Sequence, residues 1–187
     1  PAAATRGRVT LKNITPKHLD SITAKLREIG CDIEEFDEAV TVDARGKNLT
    51  RCNIKTMPHP GFPTDCQPQF VAMLTSCNGT SIINENVWDN RYQYISELQR
   101  MDAKISVEGR LAIIEGGTPL KPAQVKATDL RAGAAMIIAA LTADGTTVIS
   151  NIHFIERGYE EVVEKFQQLG ADIKKVYDPE GELAESV

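Results

Sequence analysis

The chain has 187 residues, 42% hydrophobic and 25% charged, with a formal net charge of −5 and a pI near 5.3. That size and balance fit one globular domain with a buried core, and the acidity argues against general nucleic-acid binding. No run approaches the ~18 apolar residues of a membrane span, and the start "PAAATRGRVT" lacks the pattern of a secretory signal. The four cysteines (Cys31, Cys52, Cys66, Cys77) show neither CxxC pairing nor metal-ligand spacing with the three histidines. Reduced, mostly buried thiols in a cytoplasmic protein are expected.

In chain order, the first unit opens at Gly7 with a short β-rich stretch and turns into a helix. That helix carries Leu19, Ile22, Leu26 and Ile29 on one face. Gly30 stands where a left-handed C-terminal cap belongs, and a β-rich run follows at Ala39–Val42. Next comes the stiff loop "HPGFPTD", His59 to Asp65, leading into a helical stretch from Thr64. There Thr64 and Gln67 form a capping-box pattern with Thr64 as the N-cap. The second unit, Gly79 to Ile105, repeats the strand–turn–helix order with Tyr94, Leu98 and Met101 in register, and β-rich runs follow at Ile105–Val107 and Leu111–Ile114. A helix from Thr128 is apolar nearly all round between Ala132 and Leu141, which predicts burial on every side. The third unit, Gly145 to Ile173, has Tyr159, Val162, Phe166 and Leu169 on one face, Gly170 as its cap, and a β-rich run at Ile173–Val176.

The repeat predicts an α/β fold of pseudo-symmetric units, about 1–50, 51–116 and 117–177, in one domain. Residues Ala2 to Gly7 align with Ala139 to Gly145, the end of the all-apolar helix. The first unit is therefore expected to be truncated at its N-terminus, the chain being a fragment of a longer protein. The acidic stretch "DPEGELAESV", 178–187, is expected to be a flexible tail.

Two sets of residues invite chemistry. Asp65 sits in the first turn of a helix, where a carboxylate gains from the dipole. Its rigid loop equally suits a group held still for a reaction. Arg91, Arg131 and Arg157 stand near helix starts, where a cation is unfavourable unless compensated. Nearby acids (Asp89, Asp129, Glu156) would compensate, and so would a bound anion. Trp88 and Val87 read as packing residues after a strand. There is no GxGxxG, Walker A, GxSxG or HExxH motif.

The stretches "TMPHPGFPTDCQPQF", "NENVWDNRY", "ATDLRAGAAMIIAAL" and "NIHFIERGYEEVVEKFQQLGADI" together resemble the bacterial UDP-N-acetylglucosamine enolpyruvyl transferases, from about Ala2 to Val176. The resemblance implies βαβαββ-type units with helices packed inside and sheets outside. It also implies a cleft between two domains, where an enolpyruvyl group passes from phosphoenolpyruvate to the 3′-hydroxyl of UDP-N-acetylglucosamine in cell-wall peptidoglycan synthesis. No metal or organic cofactor is implied. The chain matches the C-terminal part of such enzymes, so the missing N-terminal domain becomes its partner, and without that domain the chain is expected to be inactive. None of the four cysteines takes the place of that domain's catalytic cysteine. By position, Asp65 matches the proposed proton acceptor at the 3′-hydroxyl, Val87 a backbone contact to the sugar nucleotide, and Arg157 a phosphate-binding arginine. Arg91, Asp129 and Arg131 match groups lining the same cleft. Trp88 and Asp89 stand where the family pattern has Phe and Glu. Two alternatives are a 5-enolpyruvylshikimate-3-phosphate synthase-like transferase, which "HPGFPTD" argues against, and a non-catalytic sugar-nucleotide-binding module.

Overall fold

A computed structural model describes residues 1–177 and 183–186. Each unit folds into its own sheet. In the first, β1 (Arg8–Lys12), α1 (Asp20–Ile29), β2 (Asp32–Phe36) and β3 (Ala39–Asp43) give an antiparallel sheet of order β1-β3-β2. Val42 pairs with both Val9 and Ile33, so apolar side chains share the inner face. The second unit comprises β4 (Ile54–Lys55), α2 (Gln67–Leu74), β5 (Gly79–Asn84), α3 (Ile95–Arg100), β6 (Lys104–Glu108) and β7 (Leu111–Gly116). Its sheet has the order β4-β5-β7-β6, with β4 parallel to β5. The third has β8 (Gln124–Lys126), α4 (Leu130–Ala140), β9 (Val148–Ser150), α5 (His153–Glu156), α6 (Val162–Gln168), β10 (Lys174–Tyr177) and β11 (Leu183–Ser186), with sheet order β8-β9-β11-β10. Again the first strand is parallel to the second.

The helices connecting each parallel pair form the interior. α2 packs on α4, and every residue of α2 is buried except Gln69. In α4 the buried set is Ala132, Gly133 and Ala135 through Ala140. An interior helix buried all round must be apolar all round, as the sequence predicts for α4. Sheets therefore lie outside and these two helices inside.

Of the stretch expected to be a flexible tail, 178–187, the backbone of 183–186 pairs as β11 between β9 and β10; its other positions, 178–182 and 187, lie outside the described residues. The buried stripes of the first and third units are also shallower than periodicity implies. Of Leu19, Ile22, Leu26 and Ile29 only Ile29 is fully buried, and Leu169 is 59% exposed. Ile22, Leu26 and Leu169 line an apolar groove with Val9, Phe70 and Met73. Gly30 and Gly170 take the left-handed cap positions, at φ 112° and 94°.

Candidate active site

Asp65 lies in the 3₁₀ turn Thr64–Cys66 that feeds α2. Its loop is anchored by Phe62, which is buried with its ring edge-on to Phe70 at 4.8 Å. The Phe62 carbonyl accepts from the Met57 amide at 2.9 Å, closing the loop on itself. Thr64 does not cap the helix as its sequence pattern predicts. Its hydroxyl instead donates to Glu85 Oε2 at 2.9 Å, a charge-assisted bond that turns the side chain towards the glutamate.

Two guanidinium groups converge on the Asp65 carboxylate. Arg131 Nη2 donates to Oδ2 at 2.8 Å, and Arg91 Nη2 to Oδ1 at 3.3 Å. The Arg131 hydrogen bond, with the charges of Arg131 and Arg91, holds the carboxyl below the usual carboxylate range against some desolvation. Arg91 Nε is buried with no hydrogen-bond partner among the described residues, so this arginine has donor capacity its neighbours do not use.

Arg131 owes its position to Asp129. The Asp129 side chain, on extended backbone, accepts at Oδ1 from the amides of Arg131 (2.8 Å) and Ala132 (2.9 Å) and is itself the N-cap of α4. The acids adjacent in sequence do not neutralise the arginines. Asp89 pairs with Arg110, Glu156 with Lys175, and Asp129 with backbone amides. Arg157 has its guanidinium carbon 5.3 Å from the centre of the Phe154 ring, and among the described residues no hydrogen bond joins it to the Asp65 cluster. The next residues bring its segment close. Gly158 packs on the Leu130 side chain at the start of α4, and the Tyr159 hydroxyl receives Gln69 Nε2 at 3.4 Å.

Val87 and Trp88 are not packing residues, being 41% and 58% exposed. Their amides donate to Glu85 Oε1 at 2.9 and 3.1 Å, which leaves the Val87 carbonyl as its backbone atom for a ligand. Sequence reasoning missed Glu85, which reads as part of a polar turn. The signal was there: Ser81, Ile83 and Glu85 alternate inward, and all are buried. The cysteines are free, and burial pushes every thiol up, Cys52 to about 12 and Cys77 to about 11. Cys66, next to Asp65, is raised by burial and by that carboxylate's charge. None resembles an activated nucleophile. Among the described residues no group of three His, Cys, Asp or Glu could hold a metal, and no helix is long and apolar enough to cross a membrane.

Sheets lie outside, buried helices inside, and residues 1–166 match the family described as EPSP synthase (3-phosphoshikimate 1-carboxyvinyltransferase). The chain belongs to that family. Within it, the chain is 53% identical over 173 residues to UDP-N-acetylglucosamine 1-carboxyvinyltransferase 2 of Clostridium acetobutylicum, covering 92% of this chain and 41% of that protein. It is 52% identical over 172 residues to UDP-N-acetylglucosamine 1-carboxyvinyltransferase of Desulfofundulus thermocisternus, covering 92% of this chain and 70% of that one. Among solved structures, the enolpyruvyl transferase NikO from Streptomyces tendae superposes with a TM-score of 0.83 at 26% identity, over 91% of this chain and 41% of that one. EPSP synthase from Acinetobacter baumannii shares the fold, with a TM-score of 0.68 at 16% identity over 98% of this chain and 44% of that one.

Proposed function

We propose that this chain supplies one wall of the active site of an enolpyruvyl transferase acting on UDP-N-acetylglucosamine and phosphoenolpyruvate, in the cytoplasm, as a step of peptidoglycan synthesis serving cell shape and division. The other wall belongs to the N-terminal domain that the resemblance implies. The observation that carries the reading is Asp65, held on a rigid turn between two guanidinium groups. In the addition step the sugar 3′-oxygen bonds to C2 of phosphoenolpyruvate, Asp65 takes the hydroxyl proton, and an acid on the other wall gives a proton to C3. In the elimination step the conjugate base of that acid takes a proton back from C3 as the C2–O bond to phosphate breaks, leaving the enolpyruvyl ether and inorganic phosphate.

The arginines give this sequence an order. In the free chain they depress the Asp65 carboxyl, making it a weak base. A carboxylate or phosphate on the substrate competes for the same N–H donors of Arg91 and Arg131. As those donors turn to the substrate, the proton affinity of Asp65 rises towards the ordinary carboxylate value, when a base is needed. Arg157 adds a third cation near the start of α4. The Val87 carbonyl receives the sugar nucleotide. Asp129 keeps Oδ2 for a substrate donor while Oδ1 caps the helix.

The test is phosphate release from phosphoenolpyruvate by the full-length transferase carrying this chain, with UDP-N-acetylglucosamine as acceptor. Asp65→Ala is expected to lower kcat by about 10²–10⁴-fold, the usual contribution of a positioned base. A folded Asp65→Ala variant turning over at the wild-type rate refutes the assignment. Turnover with 3-phosphoshikimate in place of the sugar nucleotide would move the protein to the alternative acceptor.

A further inference from the structure

Glu85 is 1% exposed and sits in neither the arginine cluster nor a helix. Its carboxylate takes four hydrogen bonds. Thr56 Oγ1 reaches Oε1 at 2.7 Å and Thr64 Oγ1 reaches Oε2 at 2.9 Å, from either side of the proline loop. The amides of Val87 (2.9 Å) and Trp88 (3.1 Å) reach Oε1 from the following turn. Thr56 is itself buried, and its hydroxyl also accepts the Asn86 amide at 2.8 Å.

No cation is among these partners. A buried carboxylate held only by neutral donors loses its hydration, and these hydrogen bonds are what offsets that loss. Removing the carboxylate would leave two hydroxyls and two amides without their acceptor. We propose that Glu85 is a positioning residue, whose carboxylate locks the turn bearing Asp65 to the turn bearing Val87 and so sets the distance between the base and the sugar-nucleotide contact. Asp65 is the residue after Thr64, and Val87 lies two residues after Glu85, so each functional atom is next to a Glu85 anchor. The inference rests on the functional reading above, and Glu85 touches no substrate in it.

The chemistry fixes what can substitute. A glutamine keeps an oxygen for the amides and Thr56, and its amide nitrogen donates to Thr64, whose hydroxyl accepts as readily as it donates. An alanine offers nothing to any of the four donors. A misplacement of about 1 Å at a reacting group costs roughly 10²-fold in rate.

The experiment compares E85Q and E85A in the full-length transferase, with amide hydrogen exchange on the isolated chain. E85A is expected to lower kcat/KM for UDP-N-acetylglucosamine about 10²-fold, with the KM for phosphoenolpyruvate unchanged, and E85Q to recover most of that loss. The Val87 and Trp88 amides, slow to exchange in the wild type although their side chains are exposed, exchange freely in E85A and remain slow in E85Q. Should E85A fail to fold, E85Q decides: retained Val87 protection with near-wild-type kcat/KM supports the proposal, and lost protection with unaltered kcat/KM overturns it. An equal rise in both substrates' KM would also overturn it, marking general loosening. A wild type that transfers nothing to UDP-N-acetylglucosamine refutes the functional reading instead, while hydrogen exchange still decides whether Glu85 holds the two turns.

Discussion

Gly133 tests how closely α5 is seated on α4. A Cβ there would lie 2.3 Å from Ile155 Cγ1, 3.0 Å from its Cδ1 and 3.3 Å from Ala127 Cβ. Unstrained carbon pairs sit about 3.5–4.0 Å apart, so Gly133→Ala requires Ile155 to retreat by more than about 1 Å. Ile155 is fully buried and has nowhere to go unless α5 moves with it. Overpacking of this kind costs about 1–3 kcal/mol, and a short rigid helix that must shift as a body belongs in the upper half of that range. Alanine returns about 1 kcal/mol of helix propensity, leaving a net loss of about 1–2 kcal/mol. For a chain of this size each kcal/mol moves Tm by about 2–4 °C, so the drop is about 2–8 °C. Urea unfolding of the chain followed by far-UV circular dichroism reads it directly. A gain of about 1 kcal/mol, the propensity effect alone, would show that the close approach does not exist. The shift should also be felt at Arg157, the residue immediately after α5.

Arg6 donates to the carbonyls of Ala3 (2.9 Å), Ala4 (3.3 Å) and Ser76 (2.6 Å), joining the start of the chain to the end of α2. Arg6→Ala takes the side-chain donor from the Ala4 and Ser76 carbonyls, while Ala3 keeps the amide of residue 6, and is expected to cost about 1–3 kcal/mol in urea unfolding; no change would mean water replaces the guanidinium fully. The Arg45 hydrogen bonds hold the Asp43 carboxyl at about 2, below its ordinary 3.8. A depressed folded-state value stabilises above pH 3.8 and is lost as pH falls towards 2, so Asp43→Asn should flatten the stability profile in that window, and an unaltered profile would refute the pairing.

The fold was legible where side-chain spacing alone decides burial. The all-apolar run of α4 could only be interior, and Gly30 and Gly170 could only be caps of the left-handed kind. The clustering of Asp65 with Arg91 and Arg131 was half legible: helix-start arginines announce an unmet anion, yet their acid sits 26 and 66 residues away in sequence. Neighbouring acids looked like the obvious partners, but each is drawn off by another donor, Asp89 by Arg110 and Glu156 by Lys175. Thr64 deceived for a similar reason, since a capping pattern cannot reveal a buried glutamate 21 residues on that accepts its hydroxyl proton and orients it. The shallow burial of Ile22 and Leu26 was illegible because periodicity reports which side faces inward, not what covers it.

Each sheet is woven from one contiguous stretch of chain, while α2 and α4 meet across unit boundaries. Two of the strand pairings are local: the hairpins β2–β3 and β6–β7 close loops of only a few residues, a small entropic cost. Much of the apolar burial waits for the docking of α2 on α4, segments far apart in sequence. Chain collapse and site assembly then coincide, because that docking also carries Arg131 to Asp65. The candidate site and the core meet at the same pair of helices, so kinetic traces of refolding should register the ion pair and the core at the same moment.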